Sequence, residues 1–592
     1  MKRKFFHCPA DTLDEFRAAA QAAVKMGVTH VYVSELPKSR WQWDLDRTDP
    51  YPNWGMMHSA IFKVVPTPEL AQWVPQDYVE KNWQLLQQRC AILKELGLKA
   101  AFKGCEPGWL SEGVYAAHPD WRGARCDHPR RSRRPYFSPC IDNPEVLAMY
   151  RKAVHSLCEA TGIEVFTFLS NDSGGGICWS QGLYPGVNGP HDCRNIPFAQ
   201  RIVKFMDVIQ QGARDAGLFA QVSIGGSIPN FEVAAAVPGL LPGQSLCGLD
   251  ASGSQAVMHL GSQDEWYFNC IHPVLGIPPV LRFTQNAVSA YCNPESERSI
   301  NIFSANNGSM LRLAAHLEAR QPLTRYQAEL CLHDFAASEA GQTHAEGLLE
   351  VWHLIDTYYN SVKAIDEGGP LLLLGALNQR WLIRPLVPQP LELEEDVRME
   401  YRPFQFQANS EREAADLMDL QGARLVSGHS AAFITRNMIE NGRKVLQKAQ
   451  TILASIVPDF PEHTREEYTF ICHQLLVLDS VARTAQNCIA YQEVLDRSDF
   501  SQPPVETPIW HVPSDQRLLI LQEVARDEID NTHTLMGLLQ KYPLERQLAV
   551  APSVEEEDVF LLSPRVPEQL AKKHRVMLRE LQTLYRLYTR FN

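Results

Sequence analysis

FTFLSNDSGGGICW, residues 166–179, carries an apolar, β-branched run straight into Asn171-Asp172-Ser173, three glycines and a tryptophan. The run reads as a buried strand, Ile163 to Leu169, and the glycines as a loop whose backbone can approach another group closely. A strand that delivers an acid to such a loop is how α/β folds present chemistry, so its neighbours in sequence decide the architecture.

Upstream, Asn143-Pro144-Glu145 opens a helix running to Ala160, with a capping amide followed by proline in the first turn. Before it come a helix from Asp11 to Lys25, the strand Val28 to Ser34, a Trp- and Pro-rich loop from Leu36 to Asp77, a helix from Tyr78 to Leu96 and the strand Lys99 to Lys103. A short extended Tyr136-Phe137-Ser138 follows. Downstream lie a helix from Ile196 to Ala216 and strands at Phe219 to Ile224, Ser245 to Leu249, Pro279 to Phe283 and Ser299 to Ser304. Strands alternating with helices imply a parallel sheet, and this many units in about 300 residues fit an α/β fold of the (β/α)8 TIM-barrel type. No early strand–GxGxxG–helix unit argues for a dinucleotide-binding alternative.

Beyond about residue 310 the pattern becomes helical, at Arg312 to Ala340, His344 to Ala364, Ala431 to Ser455, Glu466 to Leu495, Gln516 to Gln540 and Pro567 to Leu587. Two domains are therefore expected: a catalytic barrel over 1–310 and a mostly helical region over 311–592. The latter is expected to hold a short extended segment near 380–410, entered through Trp381 to Val387.

The chain has 592 residues, 45% of them hydrophobic and 21% charged, an ordinary globular balance. A formal net charge of −13 argues against a surface built for nucleic-acid phosphates, and the local run Arg130-Arg131-Ser132-Arg133-Arg134 reads as a solvated loop face or a carboxylate clamp. The start MKRKFFHCPADTLDEF lacks the apolar run of a signal peptide, and no stretch approaches the roughly 20 apolar residues of a membrane span. A cytoplasmic protein without membrane partners is expected, and a homo-oligomer is compatible with this composition. The 14 cysteines are scattered with no CxxC pair, so neither a disulfide framework nor a metal site is expected, Cys105, Cys140 and Cys178 included. No cofactor is implied.

In such a fold the active residues stand at the carboxyl ends of the strands. Read in order, these ends supply Glu35, Glu106 in KGCEPGW, Asn171 and Asp172, Asp250 in GLDASGS, Arg282 in LRFTQN, and Asn306. Trp41, Trp109, Trp179 and Trp266 fall in the loops between. A sugar ring stacks its C–H face on indole and offers hydroxyls to carboxylates, amides and arginines, so this set points to a small carbohydrate substrate. Cleaving a glycosidic bond generally takes one carboxyl group to protonate the leaving oxygen and a second to attack or to activate water. Asp172 is the first choice for the acid, with Asp250, Glu106 and Glu35 competing for the second role. The arginines leave room for an anionic, uronic sugar. Two alternatives compete: a non-catalytic carbohydrate-binding or scaffolding barrel, and a metal-dependent sugar isomerase or lyase.

The order Val31-Tyr32-Val33-Ser34-Glu35, Leu98 to Phe102, Phe137-Ser138-Pro139-Cys140-Ile141-Asp142-Asn143-Pro144-Glu145 and Phe166 to Asp172 resembles the β-N-acetylhexosaminidase and α-glucuronidase-like TIM-barrel glycoside hydrolases, over roughly residues 25 to 180. In hexosaminidases the fourth strand ends in an Asp-Glu pair, the Glu being the general acid and the Asp orienting the substrate's acetamido group. Asn171 and Asp172 stand at those positions. The resemblance thus implies Asp172 as acid and Asn171 as an orienting amide, while the α-glucuronidase-like pattern, with carboxylates from later strands, could be met by Asp250.

Overall fold

The computed structural model describes residues 2–36, 59–126, 135–170, 193, 195–226, 228–260, 273–302, 308–368, 380–388, 393–401, 431–497, 516–557 and 561–581. The chain divides into two compact units. The first comprises Met1–Asp46, Tyr51–Ser262 and Arg282–Cys331, and the second Arg47–Pro50, Gln263–Leu281 and Leu332–Asn592.

The first unit is built on an eight-stranded sheet in which every described pairing is parallel. In chain order its strands are β1 (Lys4–His7), β2 (His30–Tyr32), β3 (Lys99–Cys105), β6 (Val165–Leu169), β7 (Gln221–Gly225), β8 (Gln244–Leu246), β9 (Val257–Leu260) and β10 (Glu297–Asn301). Two further strands, β4 (Arg122–Arg125) and β5 (Phe137–Pro139), form a separate antiparallel pair. The sheet order is β8-β7-β6-β3-β2-β1-β10-β9, so the first strand in the chain lies beside the last. An open sheet wound in sequence order would leave the first strand at an edge. Among the described residues no ladder joins β8 to β9.

The sheet curls on itself. Phe5, Tyr32, Ala101 and Val165, from four strands, form one buried cluster. The Tyr32 hydroxyl reaches Thr167 Oγ1 on β6 at 3.0 Å, past the intervening β3. Arg3, just ahead of β1, donates to Glu297 on β10 at 2.6 Å and also to Gln221 on β7. Such links between non-neighbouring strands require a concave sheet with a filled interior.

Local chemistry sets the flanking helices. Helix α1 (Leu13–Lys25) starts with a reciprocal cap: Glu15 N–H donates to Thr12 Oγ1 and Thr12 N–H to Glu15 Oε2. It buries Phe16, Ala19, Ala20 and Ala23. Helix α2 spans Gln76–Glu95. In α3 (Pro144–Thr161) Asn143 accepts from the Glu145 and Val146 amides, and Gly162 at φ 71° ends the helix, turning the chain into β6. Helix α4 (Phe198–Asp215) precedes β7.

Several expectations need correction. Pro279 to Phe283 is not a strand but the start of helix α5 (Val280–Tyr291), because Val280, Leu281, Phe283, Ala287, Ala290 and Tyr291 fall on one buried helical face. The extended residues at 136–138 belong to β5, outside the large sheet. The strands β1 and β9 were not foreseen. The helix expected from Arg312 to Ala340 is two, α6 (Gly308–Arg320) and α7 (Arg325–Ala340), broken at Gln321, which sits at φ 44° before Pro322.

The second unit is helical, with α8 (Ala345–Gly368), α9 (Ala431–Ile456), α10 (Glu462–Arg497), α11 (Gln516–Leu539) and α12 (Val566–Glu580), each packed on the next in turn. The segment expected to be extended instead begins as a helical turn at 380–383, with Trp381, Leu382, Ile383, Leu386 and Val387 all buried. A fully buried Lys573–Glu528 ion pair (2.5 Å) lies in this unit. Lys573 also donates to Leu382 O, while Thr484 and Asn487 donate to the two Glu528 oxygens.

Candidate active site

β1 ends at His7 and Glu35 follows β2 by three residues, so both stand at the carboxyl ends of adjacent strands. His7 Nε2 lies 3.2 Å from Glu35 Oε2. An ionised carboxylate only accepts, so with Glu35 ionised Nε2 carries the hydrogen. The Glu35 backbone is held by Arg89 of α2, whose guanidinium donates to the carbonyls of Ala10, Val33 and Glu35. The Glu35 side chain keeps 27% exposure, whereas that of His7 keeps 7%. Burial, and then the Lys103 ammonium, lower the His7 pKa, with Glu35 opposing. The imidazole is thereby biased towards its neutral form, a hydrogen-bond donor that orients the carboxylate.

Lys103 lies on β3 in register with Thr167 of β6. Its main chain is tied to β2, with Ser34 Oγ donating to Lys103 O at 2.5 Å and accepting from Lys103 N at 2.8 Å. Asn301, the last residue of β10, is the register partner of His7. His7, Glu35, Lys103 and Asn301 therefore gather at one end of four consecutive strands. At the end of β6 stands Ser170, fully buried, its Oγ without a hydrogen bond.

The other described candidates lie elsewhere or are already engaged. Glu106 is fully buried; Oε1 accepts from Ile61 N–H, and Oε2 from Gly108 N–H at 2.8 Å and Tyr150 OH at 2.6 Å. Burial pushes its pKa up to about 7 against these three bonds and the nearby Lys63. Lys63, itself buried, is pushed down by burial to about 7. This arrangement braces the β3 loop against the short helix Ile61–Val64 and α3. Asp250 is half-buried, with Oδ1 accepting from Ser252 N–H, Ser252 Oγ and Ser254 N–H. Those bonds, the Ser252 hydroxyl first, lower its pKa, which suits a turn and opposes proton donation.

Trp109 is 5% exposed and packs edge-on to Tyr136, an interior wedge rather than a stacking platform. Arg282 does not end a strand; it lies in the first turn of α5. Asp172, Asn171, Trp41, Trp179, Trp266 and Asn306 fall outside the described residues. Sequence reasoning missed His7, Lys103 and Ser170. The signal available for His7 was its place at the end of KFFH, a short apolar run obscured by the basic residues before it.

No family model and no curated protein matches the sequence. Among solved structures the chain is similar to glycoside hydrolases. A GH138 enzyme targeting pectin rhamnogalacturonan II aligns over 100% of this chain and 68% of its own, with 11% identity and a TM-score of 0.48. An O-GlcNAc hydrolase mutant of Thermobaculum terrenum aligns over 99% of this chain and 96% of its own, with 10% identity and a TM-score of 0.37. A GH36 α-galactosidase from Geobacillus stearothermophilus aligns over 54% of this chain and 42% of its own, with 11% identity and a TM-score of 0.32. Among the described residues no helix is long and apolar enough to cross a membrane.

Proposed function

We propose that the protein is a (β/α)8-barrel glycoside hydrolase that uses Asp172 as the proton donor and Glu35 as the second carboxylate. The observation that carries this reading is the His7–Glu35 pair at the carboxyl ends of β1 and β2, partly open to solvent, while both Glu106 oxygens accept from Ile61, Gly108 and Tyr150 and Asp250 Oδ1 is held within its own turn. Ring closure is part of the proposal: with β1 already beside β10, a single ladder between β8 and β9 completes the barrel.

In this mechanism the Asp172 carboxyl group gives its proton to the departing glycosidic oxygen. Glu35, held by His7 Nε2–H, attacks the anomeric carbon or takes a proton from the attacking water. Lys103 beside His7 puts a positive charge at the same end, which supports a small glycoside bearing an anionic, uronic sugar.

The test is turnover of aryl glycosides and oligosaccharides, uronides included, by the intact protein and by Asp172→Asn and Glu35→Gln. Each variant is expected to lose about 100-fold or more in kcat while still binding the substrate by calorimetry. Binding by the intact protein without turnover of any member of the panel would overturn the reading in favour of a carbohydrate-binding barrel. Unchanged kcat in Glu35→Gln would remove Glu35 from the mechanism.

A further inference from the structure

We infer that Cys140, Asp142 and Cys193 form a binding site for a soft divalent metal ion of the zinc class, separate from the His7–Glu35 pair. Cys140 directly follows β5, Asp142 lies in the turn that leads to the Asn143 cap of α3, and Cys193 precedes α4. The two sulfurs are 3.9 Å apart, and both lie within 4.8 Å of an Asp142 carboxylate oxygen. Two thiolates about 2.3 Å from a tetrahedral zinc ion stand roughly 3.8 Å from each other, so the sulfurs already have the spacing that the ion requires.

A second observation points to a ligand. The Asp142 side chain is only 9% exposed, yet its Oδ2 accepts no hydrogen bond. The cations near the carboxylate stand beyond hydrogen-bond reach, Arg201 Nε 3.8 Å from Oδ2 and Lys204 Nζ 3.9 Å from Oδ1. A buried carboxylate oxygen left unbonded is costly, and coordination would satisfy it.

Charge balance also fits. Two thiolates and one carboxylate carry −3, a divalent ion brings the set to −1, and the nearly fully buried Arg201 offsets the remainder. Binding displaces one proton from each thiol to solvent, and a water or a further donor fills the fourth position. The ion would clip the turn between β5 and α3 to the start of α4. A disulfide between the cysteines would account for the sulfurs and leave Asp142 unexplained.

The experiment uses the full-length chain produced with added zinc and dialysed into metal-free buffer. Elemental analysis should find close to one zinc per chain. Replacement by cobalt(II) should give sulfur-to-cobalt charge-transfer absorption, a readout that needs no variant. Cys140→Ser and Cys193→Ser should each abolish that band, and Asp142→Asn should weaken zinc retention at least about tenfold. Two thiols should resist labelling until a chelator is added. The proposal is overturned by sub-stoichiometric zinc with no thiolate–cobalt band, by equal zinc in the cysteine variants, or by two thiols released with a reductant but not with a chelator, which would identify a disulfide.

Discussion

Glu106 and Glu35 both follow strands of one sheet, and their surroundings give them opposite jobs. Glu106 is sealed among three donors, so removing its charge should leave chemistry intact while changing the pH dependence of stability. Its folded pKa, about 7, lies above its ordinary value of 4.5. The folded state therefore holds a proton that the unfolded state has lost, and stability falls as pH rises from about 4.5 through 7. Glu106→Gln should remove that slope, worth at most about 3 kcal/mol across the window, as read by urea titrations at pH 4.5 and 7.5. A variant with the wild-type slope and abolished turnover would instead make Glu106 a participant in the reaction. Of the four acids at expected strand ends, sequence position alone could not rank Glu35 above Glu106 and Asp250. The difference lies in partners far away in sequence, such as His7 for Glu35 and Tyr150 for Glu106.

At the scale of elements, strands were legible where an apolar run met glycine or an acid, as in β3 and β6. They were illegible where the run was short. KFFH and VMHL, four residues each, carry too few alternations to stand out, yet both pair in the sheet. The residues 279–283 erred the other way: an apolar start looked like a strand because the helical repeat shows itself only towards Tyr291. The end of β6 is tightly built. Ser170 N–H donates to Gly225 O at 2.7 Å, and a Cβ on Gly226, which sits at φ 113°, would fall 2.4 Å from Ser170 Oγ. Gly226→Ala should cost roughly 1–3 kcal/mol, through both the clash and the backbone conformation, and displace the residues that precede Asp172. Thermal unfolding should show the loss; an unchanged midpoint would mean that the strand end tolerates rearrangement.

For the whole molecule, the change from alternating strands and helices to helices alone was visible along the sequence, because periodicity survives without knowledge of partners. The polar interior of the helical unit was not. Lys573 and Glu528 stand 45 residues apart in the chain, and neither residue type announces burial. Lys573→Met should strand the Glu528 carboxylate without its cation and cost about 3–5 kcal/mol in denaturant unfolding. Replacing both residues with apolar side chains of similar size should restore much of that loss, a double-mutant cycle that separates the pair from its packing.

The pairing of β1 with β10 also bears on synthesis. Lys4 finds its register partner at Arg298, so nearly 300 further residues must emerge from the ribosome after β1 before that strand can acquire its second neighbour. Until then one edge of β1 offers unpaired main-chain groups to any other nascent chain. Arrest of translation before β10 has left the ribosome should therefore give aggregation-prone products that depend on chaperones, and arrest far enough beyond Asn301 for β10 to emerge should release that dependence.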